Sequence, residues 1–375
     1  MQLSSMHAEN YRSLRSIRMD LARVNVFVGE NGVGKSNLYR ALQLVQEAAN
    51  GSFAAGIAHE GGMSSALWSG PRRADKLVRI RLSVELVDHE RAITFRYRIE
   101  AGLTPPVSAG FAFEPQIKEE ELLIEAGRSP VTVMKRTGPS IHVRGETGRM
   151  EAHGEDILPS ETALALLGDA GHHPEIGALR RAVLGWRFYH GFRTDRDSPL
   201  RRPALAVTSP MLDEDGGNMA AVFATLRHIR GESPDLDRAV AEALSGARLD
   251  VPPPERAASF ALVLPGFEGR PFQPEELSDG QLRFLAFAAA LLSYRRPRFI
   301  ALNEPETSLH PAMLPALARM IAEAARESQV WIVTHSRELA DAIEKEAGVR
   351  PRRVVRKDGA TWIEGLRISG EVEEE

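Results

Sequence analysis

Gly29-Glu30-Asn31-Gly32-Val33-Gly34-Lys35-Ser36 matches the phosphate-loop pattern G-x-x-x-x-G-K-[ST] at every fixed position. Its flanks fit as well. Val24-Asn25-Val26-Phe27-Val28 is a short, apolar, β-branched run that predicts a buried parallel strand. Asn37 to Ala49 predicts a helix with Leu38, Ala41, Leu42 and Val45 on one face. Strand, loop and helix in that order wrap backbone N–H groups and the positive end of a helix around a phosphate. Gly29, Gly32 and Gly34 let the backbone curl, Lys35 reaches the terminal phosphates, and the Ser36 hydroxyl suits a metal ion. Asn31 and Asn37 join these residues as expected nucleotide contacts. The plainer alternative, a glycine-rich turn before an ordinary helix, does not explain Gly-Lys-Ser in this setting.

A second anchor lies far downstream. Phe299-Ile300-Ala301-Leu302 is a continuous apolar stretch, as expected for a strand covered on both faces, and it delivers Asn303-Glu304-Pro305-Glu306 to a sheet rim. Glu304 is the candidate base that orients or deprotonates an attacking water, because phosphoryl transfer asks mainly for positioning and charge neutralisation. The competing reading is a simple Asn-Pro turn after a strand. Leu277-Ser278-Asp279-Gly280-Gln281 precedes a helical apolar run from Leu282 to Leu292, with Ser278 as N-cap and Gly280 allowing close backbone approach. Another buried-strand pattern, Val330 to Thr334, ends at His335 and is followed by a helix from about Arg337 to Ala347.

These segments, in this order, resemble the ABC-type ATPase heads of the SMC, RecF and OLD-like group, and more narrowly bacterial AAA-family ATPases with a RecF-like lobe. The resemblance makes Gly29 to Ser36 the Walker A loop, Leu277 to Gln281 the signature, and Phe299 to Glu304 the Walker B strand with its catalytic glutamate. It makes Ser308-Leu309-His310-Pro311 the D-loop and His335 a γ-phosphate sensor. It implies ATP and Mg²⁺ as cofactors, and a homodimer closed by ATP, in which Ser278, Gly280 and Gln281 meet the nucleotide of the opposite protomer. Ser36, Asn303 and Gln116 are the residues it implies at the metal, Gln116 standing where a glutamine couples metal to the inserted lobe; a plain surface glutamine is the other reading. Asn10-Tyr11-Arg12-Ser13 resembles a segment whose Arg approaches the nucleotide, against an ion-paired or solvated Arg12. The pattern departs at Asn303, where such ATPases carry an acid. An amide oxygen still accepts from a metal-bound water but brings no charge, so modest Mg²⁺ affinity and slow turnover are expected.

The fold expected is an α/β P-loop NTPase of ABC-ATPase type, with an antiparallel β subdomain and an inserted helical lobe. Val78, Ile80, Leu82, Val84 and Leu86 alternate with polar residues, and Ile93, Phe95, Tyr97 and Ile99 resume the alternation, which predicts an antiparallel hairpin. Helical patterns follow from about Ser160, with no sustained heptad, so a compact lobe replaces a coiled coil. Expected boundaries are 1–155 for the first part of the core, 156–250 for the lobe and 251–375 for the rest of the core.

At 375 residues, 43% of them hydrophobic, the chain can bury a large core. The absence of cysteine excludes disulfides, zinc thiolates and thiol catalysis and fits a cytoplasmic setting. Neither a signal peptide nor a membrane span is expected, and the stretch after His335 is too short for a Toprim nuclease. Arginines and lysines cluster at Arg72, Arg73, Lys76, Arg79 and Arg81, around Arg193 to Arg202, at Arg295 to Arg298, and at Arg350 to Lys357. They suit DNA phosphates or solvated faces, and a net charge of −4 gives no overall basic footprint. Three outputs follow: a DNA-associated ATPase for repair or genome maintenance, a regulatory or defence switch acting on a separate effector protein, and a nucleotide-binding scaffold.

Overall fold

The computed structural model describes residues 1–70, 78–103, 110–127, 129–154, 156–168, 171–231, 233–367 and 370. Arg72, Arg73, Lys76 and the acidic tail Glu371 to Glu375 lie outside them. The chain divides into two compact units, one of Met1–Ala22, Gly29–Trp186 and Arg353–Glu375, the other of Arg23–Val28 and Arg187–Arg352.

In the first unit the alternating runs build an eight-stranded antiparallel sheet. Its order is Leu14–Asp20, Gln2–Tyr11, Ile80–Asp88, Ile93–Gly102, Gln116–Glu125, Val131–Thr137, Ser140–Arg144, Met150–Ala152. Leu82 faces Ile99, Val84 faces Tyr97 and Leu86 faces Phe95, so the predicted hairpin has the register its alternation demands. The helix Lys35–Asn50 buries Leu38, Ala41, Leu42 and Val45 as expected. Its last carbonyls find partners: Thr162 Oγ1 donates to Ala48 O at 2.6 Å and Arg180 Nε to Ala49 O at 2.8 Å, while Gly51 closes the end in the left-handed conformation.

The second unit is organised by four parallel strands in the order Arg187–His190, Phe299–Asn303, Gln329–Thr334, Val24–Val28. Every residue of Phe299–Asn303 and Gln329–Thr334 is buried, which is why those runs are apolar throughout. Phe27 packs on Trp331 with ring centroids 4.3 Å apart. Because the strands are parallel, His190, Asn303 and Thr334 all finish at one rim, where Val28 also hands the chain to Gly29. The helix Asp279–Leu291 is buried continuously from Phe284 to Leu291, and this explains a sequence apolar on all sides.

Residues 156–250 do not form a lobe of their own. Ala163–Gly168 and Pro174–Leu184 belong to the first unit, and from Arg187 the chain enters the second as a sheet strand. That strand has only four residues between helical patterns, too few for a period to register.

Candidate nucleotide site

The phosphate loop is shaped by its own unit. Gly32 and Gly34 have φ of 82° and 93°, values that side chains disfavour. A Cβ on Gly29 would sit 2.5 Å from Val354 O, and one on Gly34 would strike Thr361 and Ser13. Lys35, only 4% exposed, donates from Nζ to the carbonyls of Gly29 and Glu30 at 2.8 Å each, so its ammonium lies within the loop. The first turn of the helix carries no acid, leaving its positive end uncompensated, and Asn31, Gly32 and Ser36 are exposed there.

Asn37, expected at the nucleotide, is spent elsewhere. Its Nδ2 donates to Ser13 Oγ at 2.6 Å, Ser13 Oγ lies 2.6 Å from Thr361 Oγ1, and Thr361 Oγ1 donates to Val33 O at 2.7 Å. This chain of hydroxyls pins the loop to the turn after Tyr11 and to the strand Ala360–Ile363. Arg12 takes the ion-paired alternative: its Nε donates to Glu60 Oε2 at 2.9 Å, and Glu60 also receives Tyr11 OH at 2.7 Å and Arg40 Nε at 2.8 Å. Burial and the adjacent Glu60 push the Tyr11 hydroxyl well above its ordinary value, keeping it a donor. Gln116 opens a strand opposite Gly102 and accepts from Lys118 Nζ at 2.5 Å, with no contact to the loop among the described residues.

In the second unit the rim gathers the polar side chains of His190, Asn303, Glu304, Glu306, Thr334 and His335. Asn303, 7% exposed, sets its Nδ2 2.6 Å from His190 Nδ1, while its Oδ1 is buried with no hydrogen-bond partner among the described residues. That orphaned oxygen fits the water shell of a hard cation, which takes oxygen ligands. Glu304 is held at φ 49° by its N–H bond to Val333 O at 2.7 Å, a left-handed conformation that costs a non-glycine residue energy and occurs disproportionately at functional sites. His335 Nδ1 lies 3.8 Å from Glu304 Oε1 and 3.1 Å from Glu306 Oε1. Glu306 is nearly buried; its Oε1 accepts from Thr334 Oγ1 at 2.6 Å, His335 N at 2.9 Å and Ser336 N at 3.2 Å. One carboxylate therefore holds the backbone of the residue expected to sense phosphate and lies beside its ring.

The signature segment forms a helix start with a full capping box. Ser278 Oγ accepts from Gln281 N at 3.3 Å, and Gln281 Oε1 accepts from Ser278 N at 2.9 Å. Gln281 is thus engaged within the cap. Gly280 serves the expected close approach, but to its own chain: a Cβ there would lie 2.7 Å from Ser308 O, and Ser308 itself has φ 66°. Arg201 grips the run into this helix, donating to Pro274 O, Glu275 O and Leu277 O at 2.9–3.1 Å and to Asp279 Oδ1 at 3.1 Å.

An AAA domain family whose description names an AbiEii toxin and a Type IV TA system matches residues 184–341, and an AAA ATPase domain family matches residues 1–128. Among solved structures, an SmcHead bound to the C-winged helix domain of ScpA is similar at TM-score 0.58 and 14% identity, covering 98% of this chain and 99% of that one. An Smc head domain with an extended coiled coil, bound to the C-terminal domain of ScpA derived from Pyrococcus furiosus, gives 0.54 and 13%, covering 96% and 95%. The chain has the fold of an ABC-type, SMC-like ATPase head. A curated relative, ABC transporter A family member 5 of Arabidopsis thaliana, is 24% identical over 247 residues, 62% of this head, which spans 24% of that protein's length. No helix of the head is long and apolar enough to cross a membrane among the described residues.

Sequence reading missed Ser13 and Thr361 beside the loop in the first unit, and Glu306 and His190 at the strand rim in the second. Several arginines read as candidate phosphate contacts are ion-paired: Arg193 with Asp195 at 2.9 Å, Arg202 with Asp197 at 3.4 Å, Arg296 with Glu327 at 3.0 Å, and Arg81 with Glu9 and Glu100 at 3.0 and 2.8 Å.

Proposed function

We propose that this ATPase head binds and hydrolyses ATP with Mg²⁺, closing as a homodimer whose signature helix meets the nucleotide of the partner protomer. The observation that carries hydrolysis is the strained Glu304 beside the Glu306-held His335. Glu304 orients and deprotonates the attacking water, and His335, its Nδ1 turned to Glu306, offers Nε2 to the transferring phosphoryl group. Lys35, the loop N–H groups and the helix N-terminus hold the phosphates. Ser36 and Asn303 hold the metal's shell, and Mg²⁺ when bound neutralises charge on the phosphate oxygens. The neutral Asn303 supports slow turnover.

For the output, the ion pairs on the arginines favour the switch that acts on a separate protein over the DNA-associated role, since paired guanidiniums offer fewer phosphate contacts. The solved heads bound to ScpA domains support this reading, since each of those proteins carries a protein partner. The test is the steady-state ATPase rate with and without duplex DNA at low and moderate salt, with Lys35→Ala as blank. A rate above blank and indifferent to DNA supports the switch; stimulation that fades with salt restores the DNA role; a rate equal to blank leaves only a nucleotide-binding scaffold.

A further inference from the structure

His190 and Asn303 end neighbouring parallel strands and are paired in register. Asn303 Nδ2 lies 2.6 Å from His190 Nδ1. An amide nitrogen can only donate, so in this arrangement Nδ1 is the ring's lone-pair nitrogen and the ring proton sits on Nε2. With the ring in this tautomer the amide keeps Nδ2 on His190. With Nδ2 committed to His190, Oδ1 is the atom left over, buried and without a partner among the described residues.

The consequence concerns the difference between an amide and an acid at this position. A carboxylate presents an acceptor whichever way its plane turns. An amide does so in one of its two orientations; flipped, it turns N–H donors toward the metal's water shell, whose own hydrogens need acceptors. A neutral side chain here therefore needs something to hold its orientation. We propose that His190 is a positioning residue that locks the Asn303 amide with Oδ1 toward the metal-bound water, compensating geometrically for the missing charge. This rests on Asn303 serving the metal, as read above. Partners that orient metal-binding groups commonly change metal affinity by about 10–100-fold when removed.

The experiment measures Mn²⁺ binding by electron paramagnetic resonance in the presence of a non-hydrolysable ATP analogue. It compares wild type, His190→Ala, His190→Asn, Asn303→Ala, Asn303→Asp and the double variant His190→Ala/Asn303→Asp, each checked for a native melting curve. His190→Ala is expected to weaken Mn²⁺ by about tenfold or more, and His190→Asn, which restores a carbonyl acceptor, to recover part of the loss. In the Asn303→Asp background, removal of His190 is expected to change affinity less than about twofold, because a carboxylate needs no orienting. Equal losses in both backgrounds would mean that His190 only packs the strand end, and no loss beside Asn303 would overturn the proposal outright. Wild-type affinity in Asn303→Ala would instead remove the metal role of Asn303 itself. Should His190→Ala not fold, His190→Asn against His190→Asn/Asn303→Asp carries the same comparison.

Discussion

Glu306 holds the segment that carries His335, and removing its carboxylate should loosen that segment before it unfolds anything else. Oε1 takes three donors, Thr334 Oγ1, His335 N and Ser336 N, within 2.6–3.2 Å. In Glu306→Ala, Ser336 N keeps Thr334 Oγ1 at 3.0 Å, whereas the Thr334 hydroxyl and His335 N lose this acceptor. The buried Thr334 hydroxyl left unsatisfied costs about 1–3 kcal/mol and the part-buried His335 N only about 0.5–1.5 kcal/mol, so the local loss is about 1.5–4.5 kcal/mol. At about 1.4 kcal/mol per tenfold, even the lower end exposes the His335 amide to exchange at least tenfold more often. Hydrogen exchange read by mass spectrometry on peptides spanning 330–340 measures this directly. Glu306→Gln retains one carbonyl acceptor but loses the charge, which roughly halves the strength of each bond. Its exchange should fall between the two, with ATP binding kept and turnover reduced at least tenfold. Unchanged exchange and turnover in Glu306→Ala would refute the reasoning.

Gly34→Ala combines a left-handed φ of 93° with a clash at Ser13 and Thr361, so nucleotide binding measured with a fluorescent ATP analogue should be lost while the melting temperature falls modestly. Gly280→Ala presses a methyl group 2.7 Å from Ser308 O; overpacking of about 1–3 kcal/mol should lower denaturant stability and abolish turnover while leaving monomeric nucleotide binding intact. Burial pushes the Glu120 carboxyl above its ordinary value of 4.5, outweighing the donors Ala163 N, Leu164 N and Tyr97 OH that favour the charged form. Such a group contributes its full stability below about pH 4.5, and the contribution is lost as pH rises through the raised folded value. The melting-temperature difference between wild type and Glu120→Gln should therefore shift against wild type from pH 4.5 to 7, and a constant difference would contradict this.

The legible parts of this head are those written in local patterns. Glycine spacing, the apolar runs Val24–Val28, Phe299–Asn303 and Gln329–Thr334, and the alternation from Ile80 onward each report a period or a burial state within a few residues. The polar pairs that finish the site carry no such signal. Ser13 meets Thr361 across 348 residues, Asn303 meets His190 across 113, and Glu306 meets Thr334 across 28. The last two join neighbouring strands that only the sheet order brings together, and the first joins a turn of one sheet to a strand of another. Asn37 and Arg12 show the converse: residues in the right motif whose side chains are taken by Ser13 and Glu60, because a nearby buried partner satisfies them. Glu306 alone had a local hint, an acid two residues after the candidate base and close to a sheet rim.

The composite site is tested most directly by light scattering of Glu304→Gln at saturating Mg-ATP. The account predicts a rise from the monomer mass of 41.2 kDa to twice that value, reversed by removing ATP or by adding Lys35→Ala. A protein that binds ATP yet stays at 41.2 kDa would contradict it.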